Sequence, residues 1–397
     1  MFAKMSQDTK LLLNLFLPFY LIHCASHVYL TYGSLLQSYG LSSEATGWIL
    51  GIYFFAAMMS RLVAGWLLEN FGIRRVLVWS GIFSFVGCSL LFFNQSPALL
   101  FIGRAISGAS FGVYATGLFS YQALCVSEKT RGAIVSLLVI GGILTMATVT
   151  PLGEWFLLNS LYTFYLSIGP ILSVLCCFLG SRVGAAETEE SSQSSQKCAS
   201  GAKSWGTYSG LFSSRSYLFL ILTGTLIAFT DAVIINISLL SVERGLVASY
   251  FLTSSAVVAV VVRLIGSPLL NVLPRAVLLA PCGILMAFST ILISLFPSSN
   301  IFVVGGILFG IGIGAGWPMF HALIADFLDP ALRPKGTSAA LFFYDTGFAV
   351  APLIAGYFLP HLGAAGTLMA MALTTGSALL LLEVIYWLPF HRKSKIR

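Results

Sequence analysis

The sequence predicts an all-α polytopic membrane protein with twelve transmembrane helices, built as two six-helix bundles related by an internal repeat. Its composition, its apolar segments of spanning length and a set of recurring polar landmarks predict this class. Of 397 residues, 57% are apolar and only 9% are charged, whereas an ordinary soluble domain carries roughly 25% charged residues. The mean hydropathy of +0.92 also excludes a disordered chain.

Twelve apolar segments are long enough to cross a bilayer, which takes about 20 residues per helix. They are 11–32, 45–68, 75–93, 97–121, 132–155, 161–180, 216–240, 248–271, 275–296, 300–325, 334–358 and 363–388. The seventh segment contains Asp231. We expect it to insert, because its many aliphatic and aromatic residues outweigh one central acid that costs about 3 kcal/mol.

Lysine and arginine residues gather in alternate connections between these segments. They lie at the N-terminus, at Arg74 and Arg75, at Lys129 and Arg131, in 181–215, at Arg275, at Arg333 and Lys335, and in the C-terminal tail. The opposite connections contain Arg244 alone. The positive-inside rule therefore predicts an integral protein of the cytoplasmic membrane, inner or plasma, with both termini cytoplasmic. The net charge of +7 reflects this topology, so we expect the lipid bilayer and no nucleic acid as a partner.

The segment 181–215 is rich in Ser, Gln and Glu and is predicted to be a flexible cytoplasmic linker. It divides an N-terminal bundle at 11–180 from a C-terminal bundle at 216–388. Landmarks recur across it at an offset of 202 residues, a spacing typical of duplicated bundles in the same orientation. The pairs are Arg61 and Arg263, Gly108 and Gly310, Gly112 and Gly314, and Arg131 and Arg333.

The connection after the second span resembles the signature loop of the major facilitator superfamily, and the resemblance covers essentially the whole chain. Arg61, followed by Gly65-Trp66-Leu67-Leu68-Glu69-Asn70-Phe71-Gly72-Ile73-Arg74-Arg75, is similar to G-x-L-x-D-R-x-G-R-[RK] with an upstream arginine. The resemblance implies a gate made by Arg61, Gly65, Glu69, Gly72, Arg74 and Arg75. We expect the glycines to permit close helix approach and Glu69 to pair with a basic residue. Arg74 and Arg75 are equally well explained as topology signals.

Two further segments resemble motifs of that family. Arg104, with Gly108 and Gly112 in the fourth span, is similar to R-x-x-x-G. We expect Arg104 to face the bundle interior and contact substrate, with snorkelling to the interface as the alternative. Thr150-Pro151-Leu152-Gly153-Glu154 in the fifth span resembles in part the motif of the family's exporters and favours export modestly.

Four acids lie within the predicted spans: Glu154, Asp231, Asp345 and Glu383. Glu154 and Glu383 are close to helix ends, where an exposed carboxylate costs little, so we interpret both as structural. Asp231 and Asp345 lie deeper. A buried carboxyl group can change its protonation as its exposure and neighbours change, so these two are candidates for proton coupling or cation recognition.

His23 and His27 share one face of the first helix and are predicted to line a cavity. Hydrogen bonds to neighbouring helices are slightly preferred to metal binding, and substrate contact is a third interpretation. A metal would need a third ligand, and His321 is the other histidine well inside the bundle. We therefore predict no metal site and no cofactor, and place Trp317, His321 and Tyr344 with the histidine pair and Arg104 at the substrate site.

The repeat, the even topology and the intramembrane charges indicate a transporter, and the resemblance implies alternating access. No GxxxxGK[ST] segment is present, which favours a proton gradient over ATP as the energy source. The leading hypothesis is proton-coupled efflux, by antiport, of a small amphiphilic or metal-chelating molecule such as a drug, a metallophore or siderophore, or a metabolite. The alternative is proton-coupled uptake of a small organic anion or chelate.

Two other classes fit the sequence less well. A membrane-embedded enzyme needs a reactive constellation, and the histidine pair has no obvious nucleophile or third ligand beside it. A receptor would need a sizeable folded soluble domain, which the short linker does not supply. We expect a monomer.

Overall fold

Helices form every regular element in the described part of the chain. The computed structural model describes residues 2–93, 96–125, 131–183, 211, 213–266, 274–328 and 332–394. Most of the predicted linker, and the connections around Lys129 and Asn271, lie outside these ranges. No strand occurs within them.

The first half contains six membrane-length helical segments, two of them broken. α1 comprises Phe2–His27, a 3-10 turn at Val28–Thr31 and Tyr32–Ser38; α5 comprises Arg131–Leu144, a 3-10 turn at Thr145–Ala147 and Val149–Leu158. The unbroken helices are α2 at Ser43–Phe71, α3 at Ile73–Leu90, α4 at Pro97–Cys125 and α6 at Tyr162–Gly180.

The second half has the same number of segments. α7 comprises Arg215–Asp231 and Val233–Arg244; α8 is Ser249–Gly266, α9 is Arg275–Leu295 and α10 is Ser299–Phe327. Arg333–Leu382 forms α11 at 333–362 and α12 at 364–382, because Gly363 has non-helical angles of φ 67° and ψ 175°. A π-helical turn at Glu383–Trp387 and a last helix at Leu388–Ser394 follow.

These segments confirm the predicted fold class. Nine described helical segments are long and apolar enough to cross a membrane, and Ser249–Ile265 is a shorter apolar one. The longest of the nine, Gly336–His391, has 56 residues and contains the Gly363 reversal, so it holds two spans. With α1 the chain has the twelve helices expected from the sequence.

The 202-residue offset reappears in the packing between helices. In each half, two glycines of the fourth helix leave no room for a Cβ atom against the backbone of the second helix. The close approach is of the kind that small residues permit between membrane helices. The contacts are Gly108 on Tyr53, Gly112 on Ala57, Gly310 on Ser255 and Gly314 on Ala259.

The two halves meet along α2 and α11, near the beginning of α2. A Cβ atom at Gly47 would lie 2.5 Å from the carbonyl oxygen of Pro352, and one at Gly51 would lie 2.9 Å from that of Ala349. We call this end of the molecule the far end. Because twelve helices alternate in direction, both chain ends lie at the opposite one, the terminal end.

A second contact between the halves joins α5 to α8 at the far end. The carboxylate of Glu154 accepts hydrogen bonds from the backbone N–H groups of Ala248 and Ser249, both at 2.7 Å, and from the Ser249 hydroxyl. It thereby satisfies free N–H groups and the positive dipole at the start of α8. The expectation of an exposed carboxylate is wrong: Glu154 is only 6% exposed, because it is covered by the other half.

Glu243 makes a similar cap within the second half. Its carboxylate accepts hydrogen bonds from the backbone N–H groups of Ala364 and, at 3.2 Å, Ala365. These groups begin α12, directly after the reversal at Gly363. One carboxylate therefore joins the two halves, and another stabilises a helix start inside one half.

We predict that Glu154→Gln loosens the far end whereas Glu243→Gln does not. A charged cap contributes about 0.5–2 kcal/mol, so losing it should increase separation of the halves about two- to thirtyfold. The readout is labelling of Ser238→Cys by a membrane-impermeant thiol reagent, because Ser238 is buried where α7 packs on α1. Both variants should lose thermal stability, and equal labelling rates in the two would contradict the prediction.

Candidate functional site

An ion pair joins the halves at the inner limit of the α2–α11 contact. Arg61 Nε lies 3.1 Å from Asp345 Oδ2, with the side chains 24% and 17% exposed. On the far-end side of the pair, the rings of Phe54 and Phe348 are 5.4 Å apart. The predicted gating arginine thus meets the predicted proton-coupling acid of the other half.

Beyond this pair, toward the terminal end, some of the large side chains of α2 are exposed. Leu62 and Trp66 are 63% and 60% exposed. Among the described residues, no neighbouring atom lies within 4 Å of the Cβ position of Gly65, so no close helix approach is seen there. The ion pair therefore lies at the boundary between a packed region and an exposed one.

The loop that follows α2 places the remaining gate residues at the terminal end. Gly72 has a φ of 76°, which lets the chain leave α2 and begin α3 directly. Arg74 and Arg75 are exposed on α3 and line a shallow groove with Trp79 and Ser181. The Glu69 side chain lies outside what the structure describes, so its pairing stays a prediction.

A second buried group of polar residues lies in the C-terminal half. The Tyr344 hydroxyl donates a hydrogen bond to Asp231 Oδ2 at 3.3 Å. Arg263 acts electrostatically on both groups, and its Nη2 donates to the Ile313 carbonyl at 3.5 Å. Since Asp345 follows Tyr344 in α11, the two predicted proton-coupling acids lie on either side of one tyrosine.

The predicted substrate residues of the second half adjoin this group. The His321 ring packs 3.7 Å from the Trp317 ring, and His321 Nδ1 donates to the Trp317 carbonyl at 3.0 Å. In a neutral His321, Nε2 therefore has a lone pair that can accept a hydrogen bond from another donor. The Arg263 guanidinium lies 5.3 Å from the Trp317 ring centroid, within cation–π range.

The histidine pair lies in the first half, against α4 and α5. His27 Nδ1 lies 2.5 Å from Thr145 Oγ1, at the 3-10 turn of α5, and His23 Nδ1 donates to the Phe19 carbonyl at 2.7 Å. The two rings meet edge-on at 5.6 Å. His27 therefore makes the bond to a neighbouring helix that we considered from sequence, whereas His23 bonds to its own helix.

The charge of Arg61 acts on His23, so one histidine of the pair is linked electrostatically to the ion pair. The described residues contain no group of three or more His, Cys, Asp or Glu side chains that could hold a metal ion. His321, the third ligand considered from sequence, belongs to the other half. Proton and substrate contacts are the chemistry that this arrangement offers.

Arg104 lies inside the first half, and its described contacts are with side chains outside the groups above. It is 2% exposed, and its Cζ lies 4.2 Å from the ring centroid of Tyr53, 5.8 Å from that of Tyr29 and 6.0 Å from that of Tyr32. The structure therefore surrounds Arg104 with tyrosines of α1 and α2 rather than with the residues of the second half.

Sequence reasoning missed the roles or the burial of three charged residues. It named Arg263 only as the repeat counterpart of Arg61, although an arginine inside a span was itself a usable signal. It gave Glu154 no role between the halves. It also expected Glu383 at an exposed helix end, whereas Glu383 is 6% exposed and begins the π-helical turn.

We predict that Arg61 and Asp345 are energetically coupled. Arg61→Gln or Asp345→Asn alone leaves a largely buried charge without its partner and should cost about 1.5–3 kcal/mol, whereas the double variant should cost less than the sum. Apparent melting temperatures of the four proteins in detergent test this. The control is Arg275 with Asp326, at 3.3 Å but with Asp326 50% exposed, where coupling of about 0–1 kcal/mol is expected. Additive effects at the first pair would refute the coupling.

Comparison with known proteins assigns a family to this chain. The profile of the Major Facilitator Superfamily matches residues 15–269 and 221–397. Over 103 residues the chain is 27% identical to human solute carrier family 2, facilitated glucose transporter member 10, covering 26% of this chain and 19% of that protein. Over 122 residues it is 25% identical to the 3-(3-hydroxy-phenyl)propionate transporter of Escherichia coli (strain K12), covering 30% of each. The alignments thus span less than a third of either curated relative.

Solved structures agree in fold. A POT family transporter in complex with a thioalcohol-conjugated peptide superposes with a TM-score of 0.77 at 12% identity, covering 94% of this chain and 95% of that one. A variant of the nucleoside transporter NupG gives 0.71 at 14% identity, covering 94% and 98%. With the family match over both halves and the twelve-helix architecture, the chain belongs to the major facilitator superfamily.

Proposed function

We propose that this protein is a proton-coupled secondary transporter that exports a small amphiphilic or metal-chelating molecule by alternating access. The observation that carries the proposal is the ion pair between Arg61 and Asp345. It joins the two halves where their packed contact ends, so separating the halves at the far end would change the surroundings of both charges. A charge pair whose partners belong to two moving bodies links ionisation to conformation.

Alternating access requires that one end is held closed while the other is accessible. At the far end, the α2–α11 glycine contacts and the Glu154 cap hold the halves together. Toward the terminal end, Leu62 and Trp66 of α2, beyond Arg61, are exposed. With both termini in the cytoplasm, as the distribution of basic residues predicts, this conformation faces inward and receives substrate from the cytoplasm.

Proton coupling is assigned to Asp345, with Asp231 as the second site. A proton on Asp345 would remove its attraction to Arg61 and favour separation of the halves, whereas loss of that proton would favour the pair. Asp231 is joined to Asp345 through the adjacent Tyr344, which donates to it. One acid lies between the halves and the other lies inside the second half. Protonation of this pair of acids can therefore be coupled to the change of conformation.

The substrate site is assigned to aromatic and histidine side chains from both halves. His23, His27, Trp317, His321 and Tyr344 supply ring faces, hydrogen-bonding groups and no permanent charge. Such a lining fits an amphiphilic molecule with aromatic or chelating groups, including a drug, a siderophore-like metallophore or a metabolite. The protein is proposed to work as a monomer in the cytoplasmic membrane.

Uptake of a small organic anion is the competing function. One curated relative is named as a transporter of 3-(3-hydroxy-phenyl)propionate, an aromatic carboxylate. The partial exporter motif around Pro151 and Gly153 supports efflux instead. The positive charge of Arg104 suits an anion that travels in either direction.

The direction of transport is tested by untargeted mass spectrometry of cells that lack the protein and of complemented cells. We expect a compound to accumulate inside the deficient cells and to leave the complemented ones. A compound that stays unused in the medium of deficient cells would overturn efflux and identify uptake. Complementation with Asp345→Asn serves as the matched control for expression.

We predict that Asp345→Asn inserts and folds but removes the pH dependence of transport. In right-side-out vesicles the wild-type rate of efflux should rise as the medium outside is acidified, because inward proton movement drives export. The variant lacks a titratable group at this point and should give a flat profile. A variant with the wild-type pH profile and proton stoichiometry would refute the role of Asp345.

A further inference from the structure

Arg104 carries a charge that no described carboxylate neutralises. It is 2% exposed, and its Nε and Nη1 atoms make no hydrogen bond to any protein atom that the structure describes. The intramembrane carboxylates with described partners are bonded elsewhere: Asp345 to Arg61, Glu154 to α8 and Asp231 to Tyr344. The charge of Arg104 is therefore left to its tyrosine neighbours.

Those neighbours offset the charge only in part. A buried ion without a partner costs several kcal/mol, and a cation–π contact returns about 2 kcal/mol when desolvated. The Tyr53 ring at 4.2 Å is the best placed, while those of Tyr29 and Tyr32 lie near the 6 Å limit. A compensating negative charge is the simplest means of retaining an arginine in these surroundings.

A second unpartnered donor lies beside the guanidinium. Tyr32 is fully buried, and its hydroxyl makes no hydrogen bond within the described residues. The other two tyrosines differ, because the Tyr29 hydroxyl donates to the Leu166 carbonyl and the Tyr53 hydroxyl donates to Ser26 Oγ. Two guanidinium N–H groups and one phenol O–H thus remain available in one buried region, and all of them can donate to an acceptor.

We propose that Arg104 and Tyr32, enclosed by the rings of Tyr29 and Tyr53, bind a small monovalent anionic group. The group is either a free halide or the carboxylate of an organic substrate. The guanidinium supplies charge-assisted hydrogen bonds, the phenol supplies a third donor, and the rings exclude water from the site. The proposal depends on this buried charge and not on the direction or proton coupling of transport.

The position of Tyr32 indicates when the site is accessible. Tyr32 begins the last segment of α1, and a Cβ atom at the next residue, Gly33, would lie 3.3 Å from Leu239 and 3.4 Å from Ser238 of α7. This segment is therefore covered by the other half while the far end is closed. Opening the far end removes that cover, so in the open state the site can be reached from the far side.

The test is anion-dependent thermal stability of the purified full-length protein in detergent. Sodium chloride or sodium benzoate is titrated against sodium gluconate at constant ionic strength, because a ligand that binds the folded state raises the melting temperature saturably. Tyr32→Phe removes a hydroxyl that has no described partner, so it should leave the gluconate melting temperature unchanged. It should weaken the anion response about tenfold or more.

Arg104→Gln should abolish the anion response, and Arg104→Lys should restore part of it because the charge remains without the planar donor fork. One variant serves as a control and should respond like the wild type. Tyr357→Phe changes an exposed tyrosine that lies outside the proposed site. If Arg104→Gln does not fold, the Tyr32→Phe titration alone decides.

The outcomes separate the two sources of the anion. A saturable response to chloride that weakens in Tyr32→Phe supports a free halide. A response to benzoate but not to chloride, with the same loss, supports the carboxylate of a substrate. No response in the wild type, or a response that Tyr32→Phe leaves intact, overturns the proposal.

Discussion

The cost of placing charge in hydrocarbon governs this structure. Each charged group inside the membrane must meet an opposite charge, a row of donors or an aromatic face, because none can be hydrated by lipid. Asp345 meets Arg61 of the other half, Glu154 meets the free N–H groups of α8, and Arg263 meets the carbonyl of Ile313 and the face of Trp317. Two of these three solutions cross between the halves, so the same requirement that stabilises the fold also joins its moving parts.

Much of the fold could be predicted from the sequence because each signal for it belongs to one segment of the chain and does not depend on how the segments pack. Apolar length fixed the number of spans, and the glycines at the 202-residue offset pointed to contacts that recur in space: Gly108 on Tyr53 and Gly310 on Ser255. The reversal at Gly363 falls at the first residue of the twelfth predicted segment. Breaks within α1 and α5 were not predicted, because a 3-10 turn such as Thr145–Ala147 depends on a contact with His27 of another helix.

The candidate site was only partly predictable, for the same physical reason. Residue type identified Asp345 as costly in a membrane and the loop motif singled out Arg61, but which arginine meets which acid depends on how the two halves pack. Glu154 was misjudged because its position close to a helix end suggested that water would reach it, whereas the start of α8 covers it. Sequence reports the cost of a charge, and three-dimensional packing determines what offsets it.

The repeat makes the α2–α11 and α5–α8 contacts counterparts, yet they are held by different chemistry. One contains an ion pair at its inner limit, and the other contains a carboxylate that caps a helix near the surface. Loss of one carboxylate therefore has a different consequence at each interface, because it leaves an arginine without its counter-ion at the first and uncaps a helix at the second. The internal symmetry governs how the backbones pack, while the side chains at each interface determine what holds it closed.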